Sequence, residues 1–243
     1  MKNKKRLDVI VFEKGLAQTR TKAQAFIMAG NVYVNGQAVL KAGTSVCEED
    51  VVEIKNANPY VSRGGLKLES AINALNIDVS GLICLDIGAS TGGFTDFMLQ
   101  NGAAKVYAVD VGSGQLHYKL RNDARVINIE NVNFRYFDAS LIKEPVDFAT
   151  IDVSFISLDK ILPSAYKAVK SGGKVLAMIK PQFELEPSEI RKGVVRDEVL
   201  RLKAINKIKK FALTAGFTLI SEADSGLKGP KGNLEHFILL QKD

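Results

Sequence analysis

The chain has no tryptophan, two cysteines and two histidines among its 243 residues. Each shortage removes a class of chemistry. Cys47 and Cys84 stand in unrelated segments, with no second cysteine or histidine at metal-ligand spacing. They read as reduced packing residues of a cytoplasmic protein rather than as a disulfide framework or a zinc site. His117 and His236 are equally isolated, so no metal site is expected. No apolar run approaches the roughly 20 residues of a membrane span. The basic start Met1-Lys2-Asn3-Lys4-Lys5-Arg6 leads into an apolar stretch, 9–12, too short for a signal-peptide core. Internal repeats and low-complexity tracts are also missing.

What is there is ordinary globular material, 46% hydrophobic and 25% charged, enough for one large domain and one small. The net charge of +6 favours an anionic partner. Charge is uneven: eight Lys or Arg and two acids occur up to Lys41, then Glu48, Glu49, Asp50 and Glu53 arrive together. This describes a small basic module with an acidic edge.

Within that module the pattern predicts a helix over 7–16, with Asp8 as a candidate N-cap and Gly15 as a candidate stop. A second helix is expected over 21–29, capped by Thr19 or Thr21 and closed by Gly30. Asn35-Gly36 predicts a type I′ hairpin, and 51–54 a further strand. Asn56-Ala57-Asn58-Pro59 marks a boundary. Beyond it strands are expected over 82–87, 105–110, 125–129, 146–152 and 173–179. Helices are expected over 94–101, 115–121 and 158–169. The alternation predicts a parallel, doubly wound α/β sheet. A basic helix over 197–215 follows, with Lys203, Lys207 and Lys210 on one face and Leu202, Ile205, Ile208 and Ala212 on another. Strands over 217–222 and 234–240 flank a glycine-rich loop, 226–232.

The densest chemistry lies in Asp86-Ile87-Gly88-Ala89-Ser90-Thr91-Gly92-Gly93-Phe94, a strand end, a glycine turn and a helix start. The turn departs from the dinucleotide fingerprint, because position 90 is serine where that spacing needs glycine. Asp86 is a poor neighbour for a pyrophosphate, since like charges repel in a confined site. It suits a cofactor with positive charge, which points to S-adenosylmethionine. Asp86, Gly88, Ala89, Ser90, Gly92, Gly93 and Phe94 are the candidate cofactor residues of this turn. Asp110, 22 positions after Gly88, ends the next strand, where a carboxylate can accept from ribose hydroxyls, and the following Val111 is grouped with it as a cofactor candidate. Asp152 and Lys180 end two further strands, so sheet geometry brings an acid and an amine to neighbouring tips.

Two resemblances extend this. Arg6-Leu7-Asp8, Thr19-Arg20-Thr21-Lys22-Ala23, Gly30-Asn31-Val32 and Val34-Asn35-Gly36 resemble the S4 RNA-binding domain. Such a module can hold an RNA backbone through Lys4, Lys5, Arg6, Arg20 and Lys22, with Arg63 grouped with them. Six further runs carry the second resemblance: Tyr60 to Leu68, the Asp86 turn, Asp110 to Leu116, Ile151 to Phe155, Ile179 to Glu184 and Gly232 to Glu235. Together they resemble the hemolysin A-type (TlyA-type) ribosomal RNA methyltransferases, which join an S4 domain to an FtsJ-like domain. The resemblance implies a Rossmann-like class I methyltransferase sheet with a small N-terminal α+β S4-like domain. It implies an S4-like domain over 1–58, a linker over 59–62 and an FtsJ-like domain over 63–243. It also implies 2′-O-methylation of cytidine in ribosomal RNA and a catalytic tetrad of Lys67, Asp152, Lys180 and Glu235. Glu130 and Asn131 are placed near the adenosine on the same ground. The chain is short at both ends for this family, and a large-subunit substrate is the expectation. The alternatives are an RNA-binding ribosome-assembly factor without chemistry and a membrane-lysing protein. The absence of spanning segments argues against the second.

Overall fold

The computed structural model describes residues 4–28, 30–55, 58–190, 193–229 and 231–243. Ala29 at the expected end of the second helix, Asn56-Ala57 of the boundary turn and Pro230 of the terminal loop lie outside the described residues. The chain divides into two compact units between Pro59 and Tyr60.

The first unit runs β1 (Lys4–Arg6), α1 (Leu7–Glu13), α2 (Arg20–Met28), β2 (Val32–Val34), β3 (Gln37–Ala38), β4 (Ser45–Cys47) and β5 (Val52–Ile54). β1 pairs with β4, and β3-β2-β5 form an antiparallel sheet. Asn35 and Gly36 both have positive φ, 49° and 81°, as a type I′ turn demands. Leu7, Ile10, Val11, Ala23, Ile27 and Val32 close a small core. Thr19 caps α2 by accepting from the Lys22 amide at 3.1 Å. Asp8 does not cap α1. It sits inside the first turn, and its fully buried carboxylate accepts from Arg6, Arg20 and Gln24 instead. The pull of two guanidinium groups outweighs that of the helix amides. The short pair β1–β4 was not anticipated, because three-residue strands carry too little alternation to read.

The second unit runs α3 (Arg63–Leu75), β6 (Ile83–Ile87), α4 (Gly93–Gln100), β7 (Lys105–Val109), α5 (Tyr118–Arg121), β8 (Val126–Ile129), β9 (Val146–Ile151), α6 (Leu162–Ala168), β10 (Val169–Ile179), α7 (Pro181–Glu184), α8 (Glu198–Thr214), β11 (Phe217–Asp224) and β12 (His236–Lys242). Its seven-stranded sheet has the order β11-β12-β10-β9-β6-β7-β8. β6 to β10 are parallel, whereas β12 runs antiparallel to both β10 and β11. Successive strand residues feed opposite faces. Leu85, Ile87, Tyr107 and Val109 join α6 and α8 on one side, and Cys84, Val106 and Ala108 join α3 and α4 on the other. The expected helix 158–169 is broken into a 3-10 turn at Leu158–Lys160 and a new helix that begins at Leu162 with Pro163 in its first turn, where proline's missing amide costs nothing. On α8, Ile205, Ile208 and Ala212 are buried as expected, but Leu202 is 45% exposed.

Helix α3 is the largest element that sequence reasoning did not delimit. Its two glycines hid the apolar spacing of Leu68, Ala71, Ile72 and Leu75. Their reason is close approach. A Cβ on Gly93, at the start of α4, would lie 2.2 Å from Ser62 Oγ and 2.8 Å from the Gly65 amide. Glycine therefore lets the N-terminal ends of α3 and α4 touch.

Candidate active site

The carboxyl tips of β6, β9 and β10 meet the first turns of α3, as open α/β sheets dispose their ligand crevices. Lys67 from α3 and Glu235, just before β12, form an ion pair with Nζ–Oε2 of 2.5 Å. Lys180, just past β10, lies 2.5 Å from Asp152 Oδ1, just past β9. Lys180 Nζ also donates to Ser154 Oγ at 2.9 Å. Both lysines are 9% exposed and Glu235 is 1% exposed. Burying charges at this depth is costly unless they are paired, and each has its partner.

Two cavities meet at this cluster. The smaller, about 290 Å³, is lined by Asp86, Gly88, Ala89, Ser90 and Phe94 from the glycine turn and by Ser62, Arg63 and Lys228. The larger, about 730 Å³, is walled by Phe155, Phe183, Asn233 and Glu235. Lys67, Asp152, Ser154 and Lys180 line both. Phe155 is 90% exposed, and its ring lies 5.0 Å from that of Phe183.

The glycine turn is closed by its own contacts. Gly88 has φ +84°, and a Cβ there would lie 2.7 Å from the Asp152 carbonyl oxygen. The amides of Gly88 and Ala89 donate to the Val109 carbonyl at 2.9 and 3.1 Å, and that of Ser90 donates to Asp110 at 2.8 Å. A phosphate-binding turn aims such amides at its ligand. Here they are already engaged, which fits a cofactor without a phosphate. Asp86 is fully buried. Its carboxylate accepts from the Thr95 amide and hydroxyl at 2.9 and 2.7 Å and from the Thr150 hydroxyl at 3.2 Å. Burial pushes this carboxyl up to about 7, with the Asp152 charge adding to the rise against the hydrogen bonds from Thr95 and Thr150.

The remaining cofactor candidates group one and two strands away. Asp110 holds the amides of Ser90 and Gly112, so it organises the turn it was expected to neighbour. Glu130 accepts from the Gly114 amide at 3.0 Å and pairs with Arg121. The Gly114 bond, followed by Asn128 and then Arg121, holds its carboxyl below the ordinary range against the opposing effect of burial. Asn131 has φ +59°, and its amide donates to the Gly112 carbonyl. Val111 is 69% exposed. Asp110, Val111, Glu130 and Asn131 lie outside the lining of the smaller cavity, as does Gly92, while Gly93 is within it.

Residues 60–242 match the family model of FtsJ-like methyltransferases, and residues 5–52 match that of the S4 domain. The chain belongs to the FtsJ-like methyltransferase family. It is 44% identical to Hemolysin A of Brachyspira hyodysenteriae, across 96% of this chain and 100% of that protein. It is 38% identical to the 16S/23S rRNA (cytidine-2′-O)-methyltransferase TlyA of Mycobacterium tuberculosis, across 99% of this chain and 91% of that one. A solved structure described as a hemolysin, from Streptococcus thermophilus, matches with a TM-score of 0.77 at 44% identity, covering 100% of this chain and 90% of that one. No helix among the described residues is long and apolar enough to cross a membrane.

Within this FtsJ-like unit, sequence reasoning missed Ser154 and Glu184. Glu184 is buried and accepts from Ser157 Oγ at 2.5 Å and from the Leu158 amide at 2.9 Å, tying the loop after β9 to α7; burial pushes its carboxyl up. Both lie in quoted motifs, but nothing in a serine or glutamate by itself announces its partner. Of the cations expected to meet RNA, Arg63 lines the smaller cavity. In the S4-like unit Lys4 is exposed, Lys5 pairs with Glu13 and Glu48, and Lys22 donates to Gln18. Arg6 and Arg20 are half exposed and share the Asp8 carboxylate.

Proposed function

We propose that this chain transfers a methyl group from S-adenosylmethionine to the 2′-hydroxyl of a cytidine ribose in ribosomal RNA. The observation that carries the reading is the convergence of Lys67, Asp152, Lys180 and Glu235 where a cavity on the glycine turn meets a second, aromatic-walled one. The smaller cavity suits a cationic methyl donor. The carboxylates of Asp86 and Asp152 line it, and the turn's first amides are occupied within the protein. Asp86, Gly88, Ala89, Ser90 and Phe94 would hold the donor, with Asp110 at the adjoining strand tip for its ribose hydroxyls. When bound, the donor supplies an electrophilic methyl carried on a sulfonium.

The chain's own residues then have a definite task. A ribose hydroxyl is a poor nucleophile until its proton has somewhere to go. Lys180 holds the hydroxyl and provides the route for its proton, with Asp152 as its countercharge at 2.5 Å. Lys67 and Glu235, on the lining of the same larger cavity, align the ribose. Phe155 and Phe183 offer a stacking face for a base taken out of its helix. Charge is neutralised as the methyl moves, so orientation supplies much of the acceleration. The S4-like unit, with its excess of basic residues, supports RNA as the partner. A ribosomal substrate would place this work in the cytoplasm.

The decisive experiment incubates each ribosomal subunit from a strain lacking the enzyme with radiolabelled donor and maps the product by mass spectrometry. A label on one cytidine ribose, lost with Lys180→Ala by roughly two or more orders of magnitude, is the expected result. Donor binding should survive that substitution. Unlabelled subunits with the donor bound would favour the assembly-factor reading. The subunit labelled also decides the large-subunit expectation.

A further inference from the structure

Ser154 has no structural duty that its neighbours leave undone. The following 3-10 turn is capped by Ser157, and the far end of the loop is fastened by Glu184. The near end is fastened by the Asp152 amide, which donates to the Ile87 carbonyl at 2.9 Å. Between these anchors Phe155 holds φ +62°, a conformation that a bulky residue keeps only where its surroundings over-determine the backbone. Ser154 is exposed, lines both cavities, and its recorded side-chain partner among the described residues is the Lys180 amine.

The amine nitrogen has four tetrahedral directions, one of them filled by its carbon, and to pass on the hydroxyl proton it must meet the acceptor with a lone pair in one of the other three. Ser154 Oγ at 2.9 Å fixes one of these directions as a hydrogen bond, whereas Asp152 Oδ1 at 2.5 Å is an ion-pair contact without hydrogen-bond alignment. With Asp152 alone, the amine could pivot about a contact that sets its distance and not its direction. Asp152 and Ser154 stand two residues apart on one pinned loop, so both contacts move as a unit. Lys180 borders both cavities, and no other protein partner of its amine is recorded among the described residues.

We propose that Ser154 is a positioning residue for methyl transfer, whose hydroxyl oxygen sets the direction in which Lys180 meets the acceptor hydroxyl. This rests on the reading of Lys180 given above. Ser154 also borders the donor cavity, so donor binding is read beside turnover; the effect proposed here passes through the lysine and belongs to the step in which the acceptor oxygen is aligned.

The test is steady-state methylation of ribosomal subunits by full-length Ser154→Ala, Ser154→Thr and Lys180→Ala proteins, with donor binding measured for each by calorimetry. Ser154→Ala should lower kcat roughly tenfold or more, the worth of one hydrogen bond to a charged group. The KM for subunits and the Kd for the donor should stay near their original values. Ser154→Thr, which keeps the oxygen, should recover most of the lost kcat. An unchanged kcat for Ser154→Ala beside an inactive Lys180→Ala overturns the proposal and leaves the role of Lys180 standing. Full activity of Lys180→Ala overturns both. A raised KM with unchanged kcat, or equal impairment by alanine and threonine, also overturns the proposal, since binding or loop packing would then be what Ser154 supplies.

Discussion

Lys67 and Glu235 are separated by 168 positions, yet their side chains meet at 2.5 Å in a nearly solvent-free setting. Removing one partner strands the other as a buried charge. Lys67→Ala or Glu235→Ala should destabilise the unit by on the order of 3–5 kcal/mol. The double variant Lys67→Met with Glu235→Leu should recover much of that loss and still be inactive. Thermal unfolding beside methylation assays separates the two roles. A double variant that methylates normally would remove this pair from the reaction.

Glu235 is also confined from the other side. A methyl group at Gly229 would lie 2.7 Å from Glu235 Oε1 and 3.3 Å from its carboxyl carbon. The carboxylate cannot swing away freely, because it is buried and bound to Lys67. Gly229→Ala should therefore displace it and lower kcat by roughly 10- to 100-fold, the scale of a misplaced catalytic group. The melting temperature should fall far less than in Lys67→Ala. Wild-type kcat in Gly229→Ala would mean that the position of Glu235 is not critical.

Much of the methyltransferase unit was legible because parallel strands write themselves as short apolar runs that end in a functional residue. Asp86, Asp152 and Lys180 each follow or close such a run, and β6, β9 and β10 hold them at neighbouring tips. Lys67 and Glu235 were assigned only through family resemblance. Lys67 rides on α3, whose Gly64-Gly65 obscures its helical spacing even though Ser62 offers a cap. Asp8 shows a different limit. Its position before an apolar run reads as a cap, and only the packed structure reveals Arg6 and Arg20 around it. The antiparallel course of β12 leaves no mark on local sequence, since it is set by connectivity rather than by composition.

Asp86 predicts a pH dependence for donor binding. Burial raises this carboxyl to about 7 in the folded protein. A raised acid favours folding below the ordinary carboxylate pKa, and that contribution is lost as pH climbs through the folded value. The ionised form is the one that attracts a cation. Affinity for S-adenosylmethionine should thus increase between about pH 6 and pH 8, and binding below neutrality should release a proton. Calorimetry in buffers of different ionisation enthalpy reads both effects. Asp86→Asn should flatten the profile. A pH-independent affinity in the unaltered protein would exclude Asp86 as the electrostatic partner of the donor.

Asp8 behaves in the opposite sense. The Arg6 guanidinium first, then Gln24 and Arg20, hold its buried carboxyl well below the ordinary range, against the opposing effect of burial. A depressed acid stabilises the fold above the unfolded-state pKa, and that contribution fades as pH falls through the folded value. At neutral pH, Asp8→Asn should cost the S4-like unit about 1–3 kcal/mol, because Arg6, Arg20 and Gln24 lose the charged acceptor they share. Hydrogen exchange of the α1 amides, corrected for intrinsic rates, reads this without requiring the whole chain to unfold. The same substitution frees Arg6 and Arg20 from a shared anchor. If Asp8 holds the two guanidinium groups ready for phosphates, affinity for ribosomal RNA should drop and its salt dependence should weaken. If the anchor merely neutralises them, affinity should rise instead, and the pair would be structural.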